Sequence, residues 1–283
     1  MNAAQRRFAV NYVVVDQDRC LHDGFCVSVC PVFALELETT RVGAVPTSSQ
    51  GDRCIRCGHC VSVCRADALA LTFLPRSDLR PINTALTISP EQAEQLLQAR
   101  RSIRRYRDKL IPREIIARAL DSARFAPSGV NRQPVAWIVV SGLDAVHRLA
   151  AGVLEWARTL VEQKHPLAER FGFARFLVAW EKGEDLILRH APHVVLAHTP
   201  ASDPTGPGSA TIAVTYFQLA AEALGLGTCW AGYLQLALSM SPAVVKLAGI
   251  PEGRQAHAAT LLGYAKHEYA AIPPRKALDV TWT

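Results

Sequence analysis

Seven of the eight cysteines of this 283-residue chain stand between positions 20 and 64, in two groups that repeat one spacing. The first group runs Cys20-LHDGF-Cys26-VSV-Cys30 and the second Cys54-IR-Cys57-GH-Cys60-VSV-Cys64, with the VSV triplet identical in both. A secreted disulfide domain spreads its cysteines through the fold, whereas tight repeated groups in a chain without an export signal point to metal. Thiolates at C-x2-C-x2-C-x3-C-P let one loop wrap a cube of iron and sulfide. The second group has all four cysteines and departs only at Arg65, where Pro usually follows. The first keeps Cys20, Cys26, Cys30 and Pro31 but has Asp23 at the second ligand position. Structural zinc is the alternative, yet zinc pairs normally sit in separated knuckles.

The duplicated groups resemble the bacterial two-cluster ferredoxins, in which the fourth cysteine of each group ligates the other cluster. That resemblance implies a pseudo-symmetric module of two short helices and small strands. It assigns Cys54, Cys57, Cys60 and Cys30 to one [4Fe-4S] cluster, and Cys20, Cys26 and Cys64, with Asp23 at the fourth corner, to the other. A carboxylate oxygen is a harder ligand than a thiolate, so this second cluster is expected either as Asp-ligated [4Fe-4S] or as [3Fe-4S] with a vacant corner. His22 and His59 lie inside the loops, as tuning residues or as ordinary loop histidines.

A hydrophobic content of 49% supports a real core. No apolar run approaches the roughly 18 residues of a membrane span, and the first 15 residues lack a signal-peptide core although Arg6 and Arg7 adjoin. A cytoplasmic protein is expected. The net charge of +6 is compatible with steering of an acidic electron donor and with an ordinary solvated surface. Residues 8–15 read as a strand, with a counterpart over 68–74. Residues 75–88 carry two prolines and no clear period and are read as linker. The boundaries are set at 1–78 for the first domain, 79–90 for the linker and 91–283 for the second domain.

Ser89-Pro90-Glu91-Gln92 reads as a helix start, and the helix is expected to run to about Tyr106. A second helix is expected from near Pro112 to before Pro127, a strand over 135–141 and mostly helix over 144–190. Further strands are expected at 193–198, 228–233 and 257–264, with a helix over 209–224 buried inside the domain or across a subunit interface, and a short one after Pro242. Strands and helices intermingle without a βαβ repeat, so the class is α+β, a central sheet flanked by helices. Five arginines crowd residues 100–107 (RRSIRRYR), a density that can mark a nucleic-acid surface. Placed on a helix, Arg100, Arg101 and Arg104 converge instead with Ser102 on a compact dianion such as a terminal phosphate. No nucleic-acid partner is expected. Asn131 and Gln133 lie on a turn within APSGVNRQP, where amides that both donate and accept suit the edge of a flavin ring. No G-x-G-x-x-G occurs, so a dinucleotide site is unsupported.

Together these segments resemble the nitroreductase family. RRSIRRY is similar to its RRSxRxF phosphate motif, APSGVNRQP to its APSxxNxQPW segment and LGLGTCWAGY (224–233) to its strand beneath the flavin. IPEG, LLGYAKHE and Pro274-Arg275-Lys276 match its C-terminal signature. The resemblance implies a homodimer with FMN at the subunit interface. Arg100, Arg101, Ser102, Arg104 and Arg275 would take the phosphate, and Pro127, Ser128, Asn131 and Gln133 would reach ribityl and ring from the partner subunit. Backbone groups of Ala231 and Gly232 would approach the redox edge.

The whole is therefore expected to be an iron–sulfur flavoprotein oxidoreductase. It would pass electrons from a low-potential ferredoxin or flavodoxin through two clusters to FMN, and on to a nitroaromatic, quinone or similar small acceptor. No protein acid or base is required, and no membrane is involved. Flavin-based reductive dehalogenation or flavin destruction on the same fold, a redox or iron sensor built on Asp23, and a pure electron-transfer protein without a substrate pocket are the alternatives.

Overall fold

The computed structural model describes residues 12–49 and 53–283. Its chain divides into two units, one of residues 1–87 with Val130–Arg132, the other of Ile88–Gly129 with Gln133–Thr283.

In the first unit, β1 (Val13–Val15) pairs antiparallel with β4 (Leu69–Leu71), Val13 opposite Leu71 and Val15 opposite Leu69. The expected strand over 8–15 is thus described at its C-terminal end, and residues 8–11 lie outside the described residues. Between the two strands come α1 (Phe25–Ser28), a hairpin of β2 (Leu35–Thr40) and β3 (Gly43–Ser48), and α2 (His59–Ser62). The repeat seen in sequence is also a repeat of backbone, thirty-four positions apart (20 and 54, 23 and 57, 26 and 60, 30 and 64). Gly24 and Gly58 cap the two helices at φ 70° and 76°, a left-handed turn that glycine makes without a Cβ clash. His22 and Arg56 share φ 54°. Ala34 N donates to Cys30 Sγ and Ala68 N to Cys64 Sγ, both at 3.3 Å. Tyr12, Leu35, Val61, Leu69 and Leu71 are buried together as the core of this unit. Arg76 closes it by an ion pair with Asp67 and a 2.8 Å hydrogen bond to the Val61 carbonyl. Short 3-10 turns at Arg76–Asp78 and Thr84–Leu86 punctuate the stretch read as linker.

The second unit is built on a four-stranded antiparallel sheet in the order β5 (Ala136–Ser141), β6 (His193–Pro200), β8 (Arg254–Gly263), β7 (Gly227–Trp230). Helices cover both faces. On one, α8 (Gly206–Ala223) lies against β6 and β8, with α4 (Arg113–Ala123) packed on it. Ile116, Ala119, Val195, Phe217 and Leu262 form that core layer. On the other, α5 (Leu143–Glu162), α6 (Pro166–Phe171), α7 (Phe173–Glu181), α9 (Gly232–Met240) and α10 (Pro242–Leu247) enclose Leu149, Val153, Phe173, Phe176, Leu234 and Leu261. α8 buries Ala210, Ala213, Val214, Phe217 and Ala221 against the sheet and α4, and leaves the apolar Ile212 and Tyr216 exposed on its remaining side. The α+β class and central sheet are as expected.

Two expectations need correction. α3 spans Pro90–Ala99, opened by a capping box at Ser89 and Gln92, and does not continue to Tyr106. Arg100 turns out at ψ 132°, and the following residues run extended along the sheet: Ser102 bridges Thr228 in parallel, Ile103 N donates to the Thr228 carbonyl (2.8 Å) and Tyr106 bridges Ala265. Sheet-edge hydrogen bonds and burial of Ile103 outweigh the helix propensity of the arginine run. Likewise β7 stops at Trp230, short of the expected 233, and α9 follows over Gly232–Met240, burying Leu234, Ala237 and Leu238.

Candidate functional site

Two small cavities lie among the described residues of the first unit. One is lined by Cys20, Asp23, Cys26 and Cys64, the other by Cys30, Cys54, Cys57 and Cys60. Each cavity therefore draws its last thiol from the opposite repeat, because α1 and α2 pack on each other and carry Cys30 and Cys64 across. Burial pushes the Cys26 thiol up, with Cys64, Asp23 and Cys20 adding charge repulsion, and pushes Cys60 up to about 11. Tyr12, beside Cys54, is raised to about 12, chiefly by burial. Such cavities disfavour bare thiolates and suit thiolates compensated by cationic iron. Among the described residues, no three His, Cys, Asp or Glu are grouped to hold a single metal ion. The Asp23 carboxylate accepts the Phe25 N–H at 3.1 Å, which fixes it at the mouth of its loop. His22 Nδ1 lies 3.0 Å from the Ala44 carbonyl, and His59 lines the cavity of Cys30.

In the second unit a cleft of about 920 Å³ opens beside the sheet. Arg104, Cys229, Trp230 and Gly232 line it, along with Phe171, Arg189, Tyr233, Gln235 and His257. A Cβ built on Gly232 meets nothing within 4 Å, so there is open space beside this residue of the cleft lining. Ala231 before it is committed to the fold: its N–H donates to Ala259 and its carbonyl accepts from Gln235, both at 2.9 Å. Gly232 opens α9, where a helix leaves its N–H without an intrahelical acceptor. Gly227, one strand earlier, permits the close approach of Ile103, since a Cβ there would meet the Ile103 side chain at 2.7 Å.

The arginine motif carries buried donors without acceptors. Arg100 Nη1, Arg101 Nε and Nη2, and the Thr228 hydroxyl have no hydrogen-bond partner. Arg101 spends its remaining nitrogen, Nη1, on the Gln98 and Arg100 carbonyls (2.8 Å each). Ser102 stands among them through its bridge to Thr228. Orphaned cationic donors of this kind match a buried phosphate. Glu222 on α8 is raised by burial, an effect countered by the charges of Arg100 and Arg101. Tyr106, in place of the usual Phe, is also raised by burial, and its hydroxyl donates to the Ile103 carbonyl (2.6 Å).

The remaining expected site residues are distributed differently. Gln133 N donates to Ser128 Oγ at 2.9 Å, close after Pro127, so these three share one turn. Asn131 belongs to the first unit, where its Nδ2 donates to the Ile55 carbonyl at 3.0 Å. Val130, Asn131 and Gln133 all have positive φ. Arg275 is exposed in a C-terminal stretch without strand or helix. Sequence reasoning missed Arg189, Gln235 and His257. The aromatic stretch 171–180 gave a signal for Phe171, but nothing in the sequence marked the other three.

A model of the nitroreductase family matches residues 97–264, and one of a 4Fe-4S dicluster domain matches residues 12–65. A protein provisionally named an NADH dehydrogenase/NAD(P)H nitroreductase from Methanothermobacter thermautotrophicus is 26% identical over 181 residues, 62% of this chain and 79% of that protein. An iodotyrosine deiodinase from Thermotoga neapolitana is 30% identical over 134 residues, 47% of this chain and 69% of that protein. A crystal structure of a nitroreductase with bound FMN from Desulfitobacterium hafniense superposes with a TM-score of 0.54 at 24% identity, covering 69% of this chain and all of that one. At that identity the likeness speaks to the fold alone.

Proposed function

This chain belongs to the nitroreductase family, with an N-terminal 4Fe-4S dicluster ferredoxin domain, and we propose on that premise that it is an FMN-dependent, two-cluster reductase of small unsaturated acceptors. Membership of the family makes it an oxidoreductase. The finer reading is that a low-potential ferredoxin or flavodoxin supplies the electrons, and that nitroaromatics or quinones receive them. Bound FMN would supply exchange between one-electron and hydride chemistry, and the clusters one-electron relay.

The chain's own residues supply binding and orientation. Arg100, Arg101 and Ser102 would hold the phosphate, and the observation that carries this is the set of buried guanidinium nitrogens without acceptors. Arg104 brings positive charge into the cleft, favouring negative charge on a reduced ring. The open space beside Gly232 admits a planar ring against backbone. Cys20, Asp23, Cys26 and Cys64 would hold one cluster, and Cys30, Cys54, Cys57 and Cys60 the other, as their two cavities support. Pro127, Ser128, Asn131, Gln133 and Arg275 complete the cofactor site in this reading only through a homodimer. No helix among the described residues is long and apolar enough to cross a membrane. We place the protein in the cytoplasm.

A second reading, reductive dehalogenation of a haloaromatic, is favoured by the iodotyrosine deiodinase likeness. One anaerobic experiment addresses both. The holoprotein is given a reduced ferredoxin and either a nitroaromatic or a haloaromatic, with NADPH as the alternative donor. Turnover with ferredoxin that needs FMN and intact clusters supports the proposal, and Arg101→Gln is expected to weaken FMN binding by roughly 10- to 100-fold, the weight of a charge-assisted hydrogen bond. Equal rates with NADPH after cluster removal would defeat the donor assignment, and turnover of the haloaromatic alone would select the second reading.

A further inference from the structure

Arg189 has no role in the reading above, yet it lines the same cleft as Arg104, Phe171 and Trp230. It sits half-buried just before β6, in the stretch 144–190 that carries no motif. Its backbone is left-handed, φ 60°, as is that of His190, φ 51°, an uncommon state for two successive non-glycine residues. What holds the turn is the buried carboxylate of Asp185. One oxygen accepts the N–H of Ile187 and of Leu188, each at 2.8 Å, and the other accepts the N–H of His190 at 3.1 Å. His190 Nε2 in return accepts the N–H of Asp185 at 3.1 Å. Four hydrogen bonds thus lock a turn that local preference opposes, and that turn sets Arg189 in the lining of the cleft. Strain sustained in this way collects at functional positions.

We propose that Arg189 is a specificity-determining residue that binds an anionic substituent of the acceptor, so that the preferred substrates are carboxylate-bearing aromatics. The inference rests on the reductase reading of the cleft. Phe171, Trp230 and Tyr233 give the walls their aromatic character, which suits a planar ring. A guanidinium offers a fork matched to a carboxylate. Neither feature alone selects the class; their juxtaposition in one cleft does.

The test uses the full, FMN- and cluster-loaded protein and reads binding from the change in flavin absorbance, with 4-nitrobenzoate and the neutral 4-nitrobenzamide as probes. Wild type is expected to bind the acid about tenfold or more tightly than the amide. Arg189→Gln should abolish that preference by weakening the acid alone, Arg189→Lys should restore part of it, and FMN content should stay at the wild-type level in both variants. An absence of preference in wild type, equal weakening of both probes in Arg189→Gln, or loss of FMN from that variant would each overturn the assignment. A wild-type chain that takes up no FMN would instead sink the reductase reading itself.

Discussion

At the scale of residues, the second unit carries charge and polarity in buried places, each with a stated consequence. Arg100 and Arg101 were legible in the sequence as anion-binding candidates, because their type and density allow little else in a non-nucleic-acid protein. Their geometry was not legible: the helix that would have made them converge ends at Ala99, and the extended chain beside Thr228 gathers the orphaned donors instead. His193 is a second case. Fully buried at the start of β6, it accepts the Ile111 N–H through Nε2 (2.9 Å) and meets Ser141 Oγ through Nδ1 (2.9 Å). Burial lowers its pKa below the ordinary 6.5. The unfolded chain therefore takes up the proton first, so the stabilisation is complete above about pH 6.5 and is lost as pH falls through the lowered native value. All five tryptophans lie beyond residue 130, so tryptophan fluorescence in denaturant reports on the second unit alone. The stability it gives should decline below pH 6.5, and His193→Gln should reduce that slope by up to about 1.4 kcal/mol per pH unit. An unchanged slope would remove His193 from the account; His198 and His257, also lowered by burial, would then carry it.

At the scale of elements, the cysteine module was the most legible part of the chain, since a duplicated ligand spacing dictates a duplicated backbone. The thirty-four-residue repeat reappears in the αL caps at Gly24 and Gly58 and in the amide bonds to Cys30 and Cys64. The hairpin of β2 and β3 had no signal beyond its length between the groups. In the second unit the strongly periodic α4 and α5 and the β-branched β5 and β6 were readable locally. The end of α3 and the start of α9 were not, because both are decided by hydrogen bonds to strands distant in sequence. The interleaving of the two repeats yields a sharp test. Cys30→Ala is expected to remove about half the iron, and specifically the cluster built on Cys54, Cys57 and Cys60, leaving the one beside Asp23 with its own EPR signature. Loss of the Asp23-side cluster instead would show that each repeat holds its own metal.

At the scale of the whole molecule, the chain joins a 4Fe-4S dicluster domain to a nitroreductase-family domain. The proposed one-electron donor rests on this pairing, since a cluster module adds nothing when hydride can reach a flavin directly. The proposed electron path requires both cofactor types on one chain. The most direct measurement is iron, acid-labile sulfide and FMN per chain in anaerobically purified protein, with an EPR spectrum of the oxidised state. About one FMN with about eight irons and no three-iron signal is expected if Asp23 is a ligand, or about seven irons with that signal if its corner is vacant. Zinc in place of iron, or iron without flavin, would contradict the account.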